Sequence, residues 1–415
     1  MSVTVSDPCF TNAADLLSVE QAIAALLKNV EPVRETETVT LSNAHNRVLA
    51  TEITSPIDVP GFDNSAMDGY AVHTRDVGLS AQDGLAITQR IPAGSMGDEV
   101  EPGCCARIFT GAPIPEGANA VVIQEVCRVE NDRLFFDQSL CEQENIRPRG
   151  NDISVGNTIL ESGTVLRAAQ LGLAASVGVD KVDVFRELKV AIFSTGDELI
   201  EPGQPLAPGQ IYNSNRYQMR ALLEAQGCAV IDLGTVPDSF DATQKALIEG
   251  AEQADLVMTS GGVSVGEEDH VKAALESVGE LNMWRIRMKP GKPLAFGRMG
   301  DVPFIGLPGN PVSVFVTFLL FARPYIQAQQ GQSASEPWSY PVQANFSYRA
   351  KQRREYVRVR LRRDDDKLIA ESFARQGSDV MRSVAWSDGL VEVTEDSSVA
   401  PGDTVCFLPF SEWAR

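Results

Sequence analysis

Between residues 189 and 330 short apolar runs alternate with amphipathic segments, and the connections between them are brief. Val190-Ala191-Ile192-Phe193, Val230-Ile231-Asp232-Leu233, Leu256-Val257-Met258, Leu294-Ala295-Phe296 and Phe304-Ile305-Gly306-Leu307 read as strands. The segments around Met219, Leu222 and Leu223, then 242–254, 271–278 and the apolar stretch after Asn310-Pro311 read as helices. Alternation of this kind leaves few solutions: a mostly parallel sheet with helices on both faces. Such sheets bind ligands at the carboxyl ends of their strands. Four polar loops fall at that end, 195–198, 237–238, 260–266 and 307–310.

The third strand runs into Thr259-Ser260-Gly261-Gly262-Val263-Ser264-Val265-Gly266. Glycines let backbone N–H groups approach an anion closely, and the helix that follows aims its positive end at the same place. Hydroxyls on Thr195, Thr259, Ser260 and Ser264 add donors. The chain carries a net charge of -20. That balance argues against nucleic acid and anionic membranes as partners, and for one small anion held locally.

Residues 285–298 carry five positive charges and no acid. Within them Lys289-Pro290-Gly291-Lys292-Pro293 fixes two ammonium groups on a stiff turn, which suits an oxyanion. Glu198, Asp238 and Asp269 follow three of the strands. Carboxylates beside an anion site call for a cation between them, and Mg²⁺ is the natural one. The 60–70 segment, Pro-Gly-Phe-Asp-Asn-Ser-Ala-Met-Asp-Gly-Tyr, follows no helical or strand period and reads as a structured loop.

Outside the α/β region the texture changes. Ser18-Val19-Glu20-Gln21 has the form of a capping box ahead of a first helix. Residues 57–149 are rich in turn signals and read as an all-β module. A second helix is expected over 168–177, stopped by Gly178. After 339 about five short strands suggest a small barrel. The domains expected are 1–56 with 150–185, a helical domain interrupted by the β-rich 57–149; 186–332, the α/β domain; and 336–415, the barrel. Seven scattered cysteines, an odd number, fit a reducing compartment, and adjacent Cys104 and Cys105 read as strand residues facing opposite ways. His45, His73 and His270 are too dispersed for a zinc site. No basic and apolar leader is visible in the first ten residues, and the longest apolar stretch, 312–322, is broken by Ser313 and Thr317. A cytoplasmic location is expected.

Five segments occur together and in order: 62–70, Ser194-Thr195-Gly196-Asp197-Glu198-Leu199, 260–266, 289–293 and Leu307-Pro308-Gly309-Asn310-Pro311. In this the chain resembles the molybdopterin molybdenumtransferases, the MoeA and gephyrin E-domain family, over nearly its whole length. The resemblance implies a multidomain fold with a MogA-like α/β domain, related to the molybdopterin adenylyltransferases, together with the interrupted helical domain and the barrel. It implies a transferase of molybdenum cofactor biosynthesis that takes adenylylated molybdopterin and molybdate and releases AMP, uses Mg²⁺, forms a homodimer, and has a molybdopterin adenylyltransferase as a possible partner. Carried over by motif, Lys289, Lys292 and Ser313 would hold the oxyanion, while Glu198, Asp238 and Asp269 would position metal and nucleophile. Asp63 and Thr110 would complete the site across a dimer, and Arg354 and Ser378 would lie near the oxyanion. Two other readings stand beside this one: an adenylyltransferase, disfavoured by the extra 62–70 loop and barrel, and a gephyrin-like scaffold without catalysis.

Overall fold

The computed structural model describes residues 16–28, 30–262, 270–333 and 338–413. The chain divides into two compact units, the first Met1–Glu37, Asn46–Ala50 and Val184–Arg415, the second Thr38–His45 and Thr51–Asp183.

The first unit opens with α1 (Val19–Leu27). Its start is a complete capping box: Ser18 Oγ accepts from Gln21 N at 3.1 Å and Gln21 Oε1 accepts from Ser18 N at 2.9 Å. Its apolar face, Val19, Ala22 and Leu26, joins the core of this unit. The helix Ala168–Ser176, which ends at Gly178 with φ +82°, falls in the second unit.

The α/β part of the first unit follows. It comprises β1 (Lys189–Thr195), α2 (Ser214–Ala225), β2 (Ala229–Val236), α3 (Phe240–Gln253), β3 (Leu256–Ser260), α4 (His270–Val278), β4 (Glu280–Arg285), β5 (Pro293–Met299), β6 (Val302–Leu307) and α5 (Pro311–Thr317). The six strands form one sheet in the order β2-β1-β3-β6-β5-β4. The first four are parallel, and β5 and β4 extend the sheet antiparallel. The sheet is therefore parallel only on one side. The stiff turn expected over 289–293 lies in the connection of the β4–β5 hairpin, where Arg285 pairs with Pro293.

Period-2 alternation explains the continuous apolar runs. Val190, Ile192, Met258 and Ile305 enter one core, shared with Met219, Leu222 and Leu223 of α2 and with α5. Ala191, Phe193, Val257 and Phe304 enter the other, shared with Ala246 and Leu247 of α3 and with Val271, Ala274 and Leu275 of α4. A strand buried on both faces needs no polar alternation. Ser194, Ser260 and Leu307 are register partners across β1, β3 and β6, so these three strands end at one edge.

The helix begun by α5 continues through a π turn at Phe318–Ala322 into Arg323–Gln329. Pro324 cannot donate a backbone hydrogen bond to the preceding turn, and the wider turn sits just before it. Pro311–Gln329 is long and apolar enough to cross a membrane, but 78% of its most apolar window is buried in the fold. A helix apolar on every side is what a core helix requires.

Five strands then close a barrel: β7 (Tyr340–Ala344), β8 (Arg354–Asp364), β9 (Lys367–Ser372), β10 (Gly389–Val393) and β11 (Thr404–Pro409), with α6 (Met381–Trp386) inserted between β9 and β10. The order is β8-β9-β7-β11-β10, and β10 pairs back onto β8. Closure is possible because β8 is 11 residues long. Its first half pairs with β10 and its second half with β9.

The second unit carries a six-stranded sheet in the order Ala120–Ile123, Gly69–Val72, Cys104–Ile108, Leu85–Ile91, Arg133–Phe135, Arg128–Glu130. Cys105 lies in one core cluster and Cys104 packs against another, so the two do face opposite ways. Burial, with the neighbouring thiols adding to it, pushes the Cys105 thiol up to about 12, so it behaves as a small apolar side chain.

Candidate functional site

β3 ends at Ser260 and the chain turns through Gly261 and Gly262, with φ of +90° and +64°. A Cβ on Gly262 would lie 2.4 Å from Val271 Cγ2 and 2.9 Å from Thr195 Oγ1. Only glycine fits there, because the turn is wedged between β1 and α4. A Cβ on Gly309 would touch Gly261 Cα at 3.7 Å, so the turns after β3 and β6 lie against each other. Gly261 N also donates to Leu307 O at 3.1 Å.

This edge is one wall of a cleft of about 940 Å³. Thr195, Glu198, Asp238, Ser260, Gly261, Gly262, Lys289, Lys292, Ser313 and Ser378, all singled out from the sequence, line it together. Ser264 and Asp269 lie outside the described residues. Asp63 and Thr110 belong to the second unit. There Asp63 Oδ1 accepts from Arg149 N at 2.8 Å. The backbone N–H and the hydroxyl of Thr110 both donate to Asp68 Oδ1 at 2.8 Å. Those two bonds hold the Asp68 carboxyl below the usual range.

Both hydroxyl-bearing residues at the end of β3 are buried. Ser260 is buried, and its Oγ lies 3.3 Å from Ser194 Oγ on the neighbouring strand. Thr259 is buried and does not line the cleft.

Two helix starts face the cleft. Asn213 caps α2, with its side chain accepting from Arg216 N at 3.2 Å, and Ser214 and Asn215 line the wall. Asn215 Nδ2 donates to Gly309 O at 2.6 Å and so fixes the turn after β6. Asn310 and Pro311 begin α5, whose Val312 N donates to Ser378 O at 3.0 Å. Pro fits the first helical position because its missing N–H has no partner there anyway. Helix starts carry partial positive charge, so both favour an anion. The Asn213-Ser214-Asn215 run was the available sequence signal for α2: three good capping residues directly ahead of a helical pattern.

The cations come from two elements. Lys289 and Lys292 sit on the β4–β5 connection, and Arg353 sits just before β8. Arg354, named from the sequence, does not line the cleft. Its guanidinium pairs with Glu20, with Glu392 at 2.9 Å and with Glu395 at 3.7 Å. Successive residues of an extended chain point to opposite sides, so only one of the two arginines can face the cleft. Ser378 is held by its neighbours: Asn310 Nδ2 donates to its Oγ at 3.1 Å, and Arg358 Nη2 donates to Gly377 O at 3.0 Å.

Two carboxylates, Glu198 and Asp238, line the same cleft. Gly196 has φ +146°, and a Cβ there would lie 2.5 Å from Glu198 Oε2, so the Glu198 carboxylate folds back over the bare backbone. Asp238 N donates to Asp197 Oδ1 at 3.0 Å, which ties the ends of β1 and β2. Asp197 does not line the cleft. Anion donors and carboxylates lining one cleft describe a site for a phosphate-bearing ligand, an oxyanion and a hard cation.

Comparison with known proteins agrees along the chain. Residues 17–178 match the model of the MoeA N-terminal region (domain I and II), 191–328 the probable molybdopterin binding domain, and 342–410 the MoeA C-terminal region (domain IV). A molybdopterin molybdenumtransferase of Haemophilus influenzae is 41% identical over 405 residues, covering 95% of this chain and 99% of that protein. One of Nostoc is 39% identical over 330 residues, covering 78% of this chain and 76% of that protein. A crystal structure of the molybdopterin biosynthesis MoeA protein from Pyrococcus horikoshii superposes with a TM-score of 0.81 at 27% identity, covering 95% of this chain and 100% of that one.

Proposed function

The chain belongs to the MoeA family of molybdopterin molybdenumtransferases, and from that premise we propose that it inserts molybdenum from molybdate into adenylylated molybdopterin and releases AMP. The observation that carries this reading is the lining of one cleft. Its lining holds the Gly261–Gly262 turn, two helix starts, three cations, Lys289, Lys292 and Arg353, and the carboxylates Glu198 and Asp238.

The phosphate part of the substrate would lie along Gly261 and Gly262 and the helix starts. Molybdate would be gripped by Lys292, Lys289 and Arg353, with Ser313 and Ser378 as neutral donors. A molybdate oxygen or a water would then attack the pyrophosphate, the bridging P–O bond would break as the new P–O bond forms, AMP would leave, and the molybdenum would pass to the dithiolene sulfurs. The cations would stabilise the charge that develops, because fixed donors in a cleft act more strongly than mobile water.

Glu198 and Asp238 are hard oxygen donors, and two carboxylates with phosphate oxygens are what Mg²⁺ commonly takes. Among the described residues no cluster of three or more metal-capable side chains occurs, so substrate and water oxygens would complete the shell. Bound there, the ion would supply neutralisation of the pyrophosphate charge. Asp63 and Thr110, on the second unit, would serve the site of another copy in a homodimer, a reading that rests on the resemblance of the 62–70 loop.

The test is AMP release from adenylylated molybdopterin, measured with and without molybdate. Molybdate-dependent release is expected. ATP consumption with no molybdate-dependent AMP would instead mark an adenylyltransferase, and neither activity would sink the enzymatic reading.

A further inference from the structure

We propose that Glu355 is a positioning residue for Lys289, so that the two lysines of the cleft play unequal parts; this rests on the functional reading above. Met288–Lys289 pairs in parallel with Arg354–Glu355 at the start of β8. That register sets the side chains of Lys289 and Glu355 together, and Lys289 Nζ donates to Glu355 Oε2 at 2.8 Å. The same oxygen accepts from Tyr348 OH at 2.5 Å. The Glu355 side chain is only 9% exposed, whereas that of Lys289 is 42% exposed on the cleft side. A carboxylate held from two directions in a buried place cannot swing. Burial first, then the Glu355 bond, pushes the Tyr348 phenol well above its ordinary value, so it stays a donor.

The consequence is a division of labour. Lys292 is exposed, and among the described residues neither Lys292 nor Arg353 has an ion-pair partner. These two supply net positive charge. Lys289 is already compensated, and what it supplies is direction: with one N–H fixed on Glu355, its other two point from a set place into the cleft. A free lysine there would be repelled by two like charges and would spread over its rotamers. The position of a donor matters to turnover in a way that charge alone does not.

The experiment compares Glu355→Gln, Tyr348→Phe and Lys289→Met in the full chain, each also combined in a double-mutant cycle. The readout is the molybdate-dependent rate of AMP release at saturating substrates, beside the KM for adenylylated molybdopterin. Glu355→Gln is expected to lower the rate about tenfold, the size of one charge-assisted hydrogen bond, and to leave that KM within about twofold. Tyr348→Phe should move the rate in the same direction by less, and it answers the question if Glu355→Gln fails to fold. On the Lys289→Met background neither change should cost anything further. An undiminished rate in Glu355→Gln, or the same loss with and without Lys289, overturns the proposal. If the native chain shows no molybdate-dependent AMP release, the functional reading has failed instead. Calorimetry with molybdate alone then decides the pairing: Glu355→Gln must change the affinity when Lys289 is present and not when it is Met.

Discussion

Gly262→Ala probes the turn on which the whole anion site depends. Two costs can be separated. The backbone cost arises because φ is +64°, where a side chain costs about 1–2 kcal/mol. The steric cost arises because the new methyl would meet Val271 Cγ2 at 2.4 Å and Val271 Cβ at 3.2 Å. Val271 is a buried, β-branched residue on α4 and has no flexible end to move aside. Overpacking of that kind costs about 1–3 kcal/mol. Gly300 supplies the control, since its φ is +58° and a Cβ there meets nothing within 4 Å. Gly300→Ala should therefore lose only the backbone term, about 1–2 kcal/mol, and Gly262→Ala about 2–5 kcal/mol. Urea denaturation gives the stability difference, and steady-state kinetics gives the functional one. Gly262→Ala should raise the KM for adenylylated molybdopterin, while Gly300→Ala leaves it unchanged. Equal destabilisation of the two variants, with an unaltered KM in both, would falsify the claim that this turn is wedged and holds the phosphate.

Three further outcomes are expected. Lys292→Met should raise the KM for molybdate about tenfold, by loss of one charged donor, and leave the KM for the adenylylated substrate alone; the reverse pattern would place the oxyanion elsewhere. Arg358 is buried, and burial pushes it down to about 10, yet its guanidinium bonds Ser383 Oγ, Tyr356 O and Gly377 O. Arg358→Met should cost about 1–3 kcal/mol in thermal unfolding and loosen the loop that carries Ser378, seen as faster amide exchange there. Asp255 accepts two bonds from Arg186 at 2.7 Å and one from Lys189 N at 2.8 Å. Burial acts to raise its carboxyl, but the Arg186 and Lys189 bonds outweigh it and hold the group below its ordinary 3.8. A depressed carboxyl stabilises fully above its unfolded value and loses the benefit as pH falls through its folded value. The stability gap between the native chain and Asp255→Asn should therefore be constant from pH 5 to 8, at about 1–3 kcal/mol, and narrow below about pH 4. A gap that widens on acidification would show the sign to be wrong.

Much of the α/β part was legible because burial on both faces leaves a plain mark. Val190-Ala191-Ile192-Phe193 has no polar interruption, and glycines punctuate the ends of strands and helices. The capping box at Ser18 was legible for a similar reason: both partners lie within four residues. What failed was whatever depends on pairing between distant segments. Glu280–Arg285 alternates polar and apolar residues only over Glu280–Met283, too short a run to mark a strand, and it pairs with β5 folding back on it. The choice between Arg353 and Arg354 turns on where the extended chain enters the barrel, and two adjacent arginines give no hint of it. The Lys289–Glu355 pair spans 66 residues and depends on a two-residue register. The contact between Ser260 and Ser194 likewise spans 66 residues, from one strand to its neighbour.

A chain of net charge -20 that binds anions must decide which of its cations remain available. The fold does so by pairing. Arg47 meets Glu37, Arg186 meets Glu35 and Asp255, Arg216 meets Glu201 and Asp232, and Arg354 meets Glu20 and Glu392. Each of these guanidiniums is neutralised where it stands, and none lines the cleft. Lys292 and Arg353, which do line it, have no such partner among the described residues. Unpaired positive charge is thus present in the cleft although the molecule as a whole repels anions. At short range the unpaired cations act almost unscreened, while the negative surface acts over about a Debye length of 8–10 Å. Added salt should therefore weaken the long-range repulsion before it weakens the grip on molybdate. Moderate ionic strength should raise the association rate of the anionic substrates, the opposite of what a basic anion-binding protein does.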